Sequence, residues 1–126
     1  MSYMSHLECS VPCGKGPYDP RERNFLCSCG APLLVRYDMD KAKTWSKSSL
    51  SNRDPNMWRY EELMPLLDKE KPITLGEGFT PLIHARTLGN ELGLKSLYIK
   101  DESLNPTNSF KARGLAAAVT RAYHLG

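Results

Sequence analysis

"LYIKDESLNPTNSFKARG", residues 97–114, changes texture twice within eighteen positions. The first part, from "KSLYIKDE", alternates and is rich in β-forming side chains, so it reads as a strand. "SLNPTN" follows, and its Asn-Pro step marks a loop. From about Ser109 to His124 the pattern turns helical, with Ser109 as the natural N-cap and Lys111 in the first turn. "GLAAAVTRA" is rich in small residues, as expected of a helix pressed close to a sheet. A loop that leaves the carboxyl end of a strand and enters a helix start is where open α/β sheets bind ligands. An ammonium is disfavoured there by the positive end of the macrodipole, and desolvation acts in the same direction. A neutral amine is the nucleophile that condenses with an aldehyde. These features permit such chemistry at Lys111, but any helix that opens on a lysine meets the same description.

Working outward, "ITLGEGFTPLIHA" holds a glycine-rich turn and a short strand at Leu82 to His84. "ARTLGNELG" places Leu88 and Leu92 four apart and stops at Gly93, which reads as a short helix. Strand, helix and strand in that order predict a crossover unit of a parallel sheet, and hence an α/β class. Residues 38–71 read as a broken helical connector. Asp54-Pro55 is a helix opening, with Trp58, Leu63 and Leu66 on an apolar face and Pro65 limiting the length. "SKSSLSNRDP" before it reads as a polar, flexible link. His84 and His124 are read as packing residues, and the Gly76–Thr80 loop is given no chemical role.

All four cysteines fall in "CSVPC" and "CSCG". Cys9 and Cys13 are three residues apart, Cys27 and Cys29 one, with thirteen residues between the pairs. In a reducing compartment this pairing reads as a metal site, because four thiolates close a tetrahedral shell around zinc and leave no open position for catalysis. Free thiols, or two disulfides if the protein is exported, are the structural alternatives. The segment between the pairs is rich in Gly, Pro and charge and cannot bury a core, so a metal crosslink would supply its folding energy. His6 lies near enough to replace a cysteine, although solvation is the simpler reading. "LLVRY", Leu33 to Tyr37, supplies a strand that would close a small ribbon.

At 126 residues the chain has room for one ordinary domain, or a small domain and part of another. A 40% hydrophobic and 25% charged composition fits a globular protein. The net charge of +3 is scattered, with no basic arm or acidic tail. Lys15, Arg21, Arg23 and Arg36 are the basic residues of the 9–37 segment, offset by acids and without an aromatic platform, so no nucleic-acid partner is expected. No apolar run approaches the roughly 20 residues that span a bilayer, so no membrane partner is expected either. "MSYMSHLECS" lacks the basic start and apolar core of a signal peptide, so a cytoplasmic protein is expected.

"LGEGFTPL" together with the string K-x-E-x-x-N-P-T-x-S-F-K-x-R that begins at Lys100 resembles the threonine synthases, members of the fold-type-II pyridoxal phosphate enzymes. The cysteine-pair start and "LLVRYD" look like the N-terminal extension of many bacterial and archaeal members. The resemblance implies an N-terminal zinc-ribbon-like segment at 1–37, a helical connector at 38–71, and at 72–126 the beginning of a parallel-sheet catalytic domain. It carries the Schiff-base role onto Lys111, and onto Ser109 and Phe110 the setting of its approach to the cofactor ring. The family has glycine at the position of Asn108, and Asn tolerates a positive φ better than most residues. Pyridoxal 5'-phosphate would be the cofactor, structural zinc would sit on Cys9, Cys13, Cys27 and Cys29, and O-phospho-L-homoserine would be the substrate, converted with water to L-threonine and phosphate. Homodimerisation at full length is implied as well. Family members run to several hundred residues, so the chain is expected to be their front part and inactive by itself. A cysteate synthase, a dehydratase, or a zinc-ribbon binding module on a decayed enzyme segment are the competing readings.

Overall fold

The computed structural model describes residues 2–67 and 69–126. Strand β1 (Met4–Cys9) and strand β2 (Leu33–Tyr37) pair antiparallel, with Cys9 opposite Leu33 and an irregularity between Met4 and His6. Tyr18 joins the edge of this ribbon through reciprocal backbone bonds with Leu7 of 2.9 and 3.0 Å. The strand β2 forms as expected, whereas its partner β1 is not among the expected elements.

The connector is helical and broken, as its prolines and serines require. It holds helix α1 (Met39–Ala42), capped by the Asp38 carboxylate, and two 3-10 pieces, Lys47–Leu50 and Met57–Leu63. The expected Asp54-Pro55 opening is corrected. The cap is Asn56, whose side chain accepts the Trp58 amide at 2.8 Å. The piece is a 3-10 helix kinked at Tyr60 (φ −101°, ψ 33°). The tighter turn changes which residues face inward: Met57, Trp58 and Leu66 are buried, whereas Leu63 points to solvent.

Strand β3 (Leu82–His84), helix α2 (Arg86–Glu91) and strand β4 (Tyr98–Lys100) follow in the expected order. Their pairing overturns the expected parallel crossover: Leu82 lies opposite Lys100 and His84 opposite Tyr98, antiparallel. Six residues of helix are too few to carry the chain back to the start of a parallel neighbour. The ladder instead runs on into the connection, where Ala85 N–H donates to Leu97 O at 2.9 Å. Both two-stranded sheets among the described residues are antiparallel, so the α/β class stands without a parallel pair. Leu88 and Leu92, the pair that marks the helix, are exposed, and the buried position of α2 is Gly89.

Helix α3 (Lys111–Leu125) is the longest element and holds the parts together. Ala116 and Ala117 pack on the cluster of Met57, Trp58 and Leu66. Thr120, fully buried, accepts the Ile73 amide at 2.9 Å and donates to the Ile73 carbonyl at 3.3 Å. Arg121 pairs with Glu70 at 2.9 Å and donates to Pro20 O at 2.5 Å, and Arg23 Nε donates to Leu125 O at 2.9 Å. The ribbon is therefore seated against the C-terminal half of the same helix that begins with Lys111.

Candidate functional site

The loop from Asn105 to Phe110 sets the start of α3. Asn105 is only 2% exposed, and its Nδ2 donates to Glu102 O at 3.0 Å and to Glu102 Oε2 at 2.9 Å. Its Oδ1 accepts the Gly78 amide at 3.0 Å, and its carbonyl accepts the Asn108 amide at 2.7 Å. Asn108 sits at φ 52°, the left-handed conformation expected where the resembled family has glycine. Ser109 Oγ accepts the Lys111 amide at 3.1 Å, so Ser109 supplies the capping oxygen although Phe110 is already helical (φ −57°, ψ −20°). Lys111 is exposed, and among the described residues its ammonium has no hydrogen-bond or ion-pair partner. Phe110 is 66% exposed. The three residues expected at a cofactor site are thus consecutive at one helix start, with Ser109 structural and the other two open to solvent.

Beneath them lies a polar network of which sequence reading named only the pattern. Arg113 grips Glu102 with two bonds of 2.7 Å, Thr80 Oγ1 donates to Glu102 Oε1 at 2.5 Å, and Lys100 Nζ donates to Thr80 O. The Arg113 guanidinium first, then the Thr80 hydroxyl and the Asn105 amide, hold the Glu102 carboxyl far below the usual carboxylate range. The Gly76–Thr80 loop, given no role above, is also built in. Glu77, 1% exposed, accepts Trp58 Nε1 and Thr74 Oγ1 at 2.8 Å and the Leu75 amide at 2.9 Å. Burial pushes this carboxyl up, but the hydrogen bonds outweigh it and leave it below its ordinary value. Gly78 (φ +106°) is fixed by close approach, since a Cβ there would lie 2.6 Å from Met57 N.

A groove of about 250 Å³ flanks the helix start, walled by Ile73, Leu75, Thr107, Ala112, Leu115 and Val119 among others. It is almost wholly apolar and carries no basic residue to meet a phosphate. The residues present therefore fit the attachment end of pyridoxal phosphate: an unpartnered amine on a backbone held at both ends.

The four cysteine sulfurs all lie within 4.8 Å of one another, with Cys9–Cys29 and Cys13–Cys27 at 3.6 Å and no disulfide among them. Zn–S bonds of about 2.3 Å in a tetrahedron separate the sulfurs by roughly 3.8 Å, so the set fits that ion. The Cys29 backbone and the Tyr18 hydroxyl, 3.2 Å from Cys27 Sγ, pull the Cys27 thiol down to about 6. At Cys9 the Val11 backbone also pulls the thiol down, but burial and the neighbouring sulfurs prevail and push it up to about 12. His6 stays outside the cluster, with Nδ1 2.9 Å from Ser5 Oγ. His84 stacks on Tyr98 at 4.7 Å, and His124 bonds Lys71 O at 2.8 Å.

Residues 73–125, which hold this helix start and its network, match the family described as pyridoxal-phosphate dependent enzyme. Over 121 residues, 95% of its length, the chain is 44% identical to a threonine synthase of Methanocaldococcus jannaschii. The chain resembles the N-terminal portion of a threonine synthase. A threonine synthase of Methanosarcina acetivorans is 40% identical over 98% of the chain, and one of Halalkalibacterium halodurans is 43% identical over 56%. The chain spans about 30% of the length of the two archaeal threonine synthases and 21% of the third. No solved structure matches it significantly. No helix among the described residues is long and apolar enough to cross a membrane.

Proposed function

We propose that this chain provides the cofactor-bearing lysine of a threonine synthase, a carbon-oxygen lyase that converts O-phospho-L-homoserine and water to L-threonine and phosphate. The observation that carries the reading is the exposed, unpartnered amine of Lys111 on a helix start held by Ser109 and by left-handed Asn108. Lys111 would hold pyridoxal phosphate through Nζ, with Ser109 and Phe110 setting the approach. When bound, the cofactor supplies an aldehyde for that amine and a protonated ring that withdraws electrons from the substrate. Lys111 Nζ then serves as the base that takes the proton from the substrate Cα. The Ser109 cap keeps the helix from unwinding as this amine moves. Catalysis belongs to the length found in the relatives, where homodimerisation and a cytoplasmic setting complete the same reading.

Structural zinc on Cys9, Cys13, Cys27 and Cys29 is part of the proposal, supported by the sulfur spacing and the absence of disulfides. It makes residues 1–37 a ribbon seated on α3, with 38–71 as connector and 72–126 as the opening of the catalytic domain.

The test is incubation with pyridoxal phosphate, borohydride reduction and peptide mapping, on this chain and on one of the relatives' length. Label confined to Lys111 is the expected result, and the longer chain carrying Lys111→Ala should release no phosphate from O-phospho-L-homoserine. Label scattered over many lysines in both chains would overturn the assignment.

A further inference from the structure

Between Asn105 and Arg113 the chain is anchored at both ends by one carboxylate. Glu102 receives the two Arg113 bonds from α3, the Thr80 hydroxyl from the glycine-rich loop, and the Asn105 amide from the start of the lysine loop. Partners 3, 11 and 22 positions away thus converge on one side chain. A lone surface ion pair contributes little, but a bidentate guanidinium within a network holds its geometry. The direction of Arg113 also matters. Residues two apart on a helix point about 200° away from each other. With Arg113 turned inward to Glu102, and Ala112 buried between them, Lys111 is turned outward, which is where its amine stands.

We propose that Glu102 and Arg113 are positioning residues for Lys111, a clamp that fixes the rotation of the first turn of α3 and so the direction of the amine. Neither residue need touch the cofactor or the substrate. Thr80 and Asn105 are the side supports of the clamp, and Lys100 steadies it by holding the Thr80 carbonyl. The proposal explains why Lys100, Glu102, Asn105 and Arg113 share one motif with Lys111 although only the lysine carries reactive chemistry. It rests on the reading of Lys111 as the cofactor-bearing lysine.

Two readouts on the full 126-residue chain separate the clamp from that reading. The first, without cofactor, is amide hydrogen exchange across Asn108–Arg113 in wild type, Glu102→Gln, Arg113→Gln and the double variant. Loss of a charged hydrogen-bonded pair is expected to speed exchange there about tenfold, while ribbon amides such as Leu7 change little. The double variant should be no worse than either single one, because both remove the same contact. The second readout is the share of borohydride-trapped pyridoxal phosphate found on Lys111, expected to fall about tenfold in the same variants. If Glu102→Gln does not fold, Thr80→Val removes one support and should give the same local pattern at smaller size. Exchange that is unchanged, or that rises equally along the whole chain, would overturn the clamp. So would full labelling of Lys111 in folded variants. Scattered labelling in wild type would remove the cofactor reading while the exchange measurement still decides the clamp.

Discussion

Trp58 Nε1 donates to Glu77 Oε1 at 2.8 Å, and this bond joins the connector to the glycine-rich loop inside the small core. Trp58→Phe keeps most of the apolar volume but leaves the carboxylate one donor short. A loss of about 1–3 kcal/mol is expected from the unmet acceptor, and Trp58→Ala should cost about 3–5 kcal/mol. Urea denaturation followed by circular dichroism checks both, and a Trp58→Phe variant as stable as the parent would show that the bond to Glu77 contributes nothing beyond volume.

Glu62, Glu77 and Glu102 all sit below their ordinary carboxyl value of 4.5. Arg53, in hydrogen-bond contact at 2.6 Å, is the chief cause for Glu62. A carboxyl depressed in the folded state binds fewer protons there than in the unfolded chain. Stability is therefore complete above about pH 4.5 and declines as pH falls toward the folded values. The urea midpoint should be flat from neutral pH down to that point and drop below it, and Glu77→Gln should shallow the drop. A midpoint that rises on acidification would contradict the assignment.

The sulfur cluster predicts one tightly held divalent ion. Cobalt added to the reduced chain should give an intense thiolate charge-transfer band that zinc displaces one for one. Cys13→Ser should weaken the band and chelation should lower the melting temperature, since structural zinc contributes folding free energy directly. A melting curve indifferent to chelator would rule out a structural role.

Gly78→Ala tests the approach of two backbones. The alanine backbone must adopt φ +106° with its Cβ 2.6 Å from Met57 N. Strain of this kind costs on the order of 1–3 kcal/mol before any clash is added. Gly14, also at positive φ but with open space around it, should tolerate Ala better, and a melting comparison of the two variants checks the difference.

Much of the site was legible because local rules govern it. The Ser109 cap follows from residues adjacent in sequence, and the left-handed Asn108 from the glycine of the resembled family, whereas Lys111, expected to be desolvated, stands exposed. The cysteine cluster was legible because chemistry limits what four thiols can do together. What escaped depended on partners far along the chain. The antiparallel β3–β4 pairing is set by how tightly α2 turns back, which periodicity does not encode. Asn56 displaced Asp54 as a cap once the 3-10 turn was wound, and Leu63 lost its place in the core with it. Glu77 looked like an ordinary loop acid because its three donors come from Trp58, Thr74 and Leu75, and the connector's tryptophan is 19 positions away.

Arg23 reaches Leu125 across 102 positions, and Arg121 reaches Pro20 across 101. Contacts this distant are closed only after the loop between them has been drawn in, and that loss of chain freedom slows the search for the native state. During synthesis the ribbon emerges first, with its docking surface still inside the ribosome. The pairing of β1 with β2 and Tyr18 is local to the ribbon and can form while it waits, so a seat stands ready when α3 arrives.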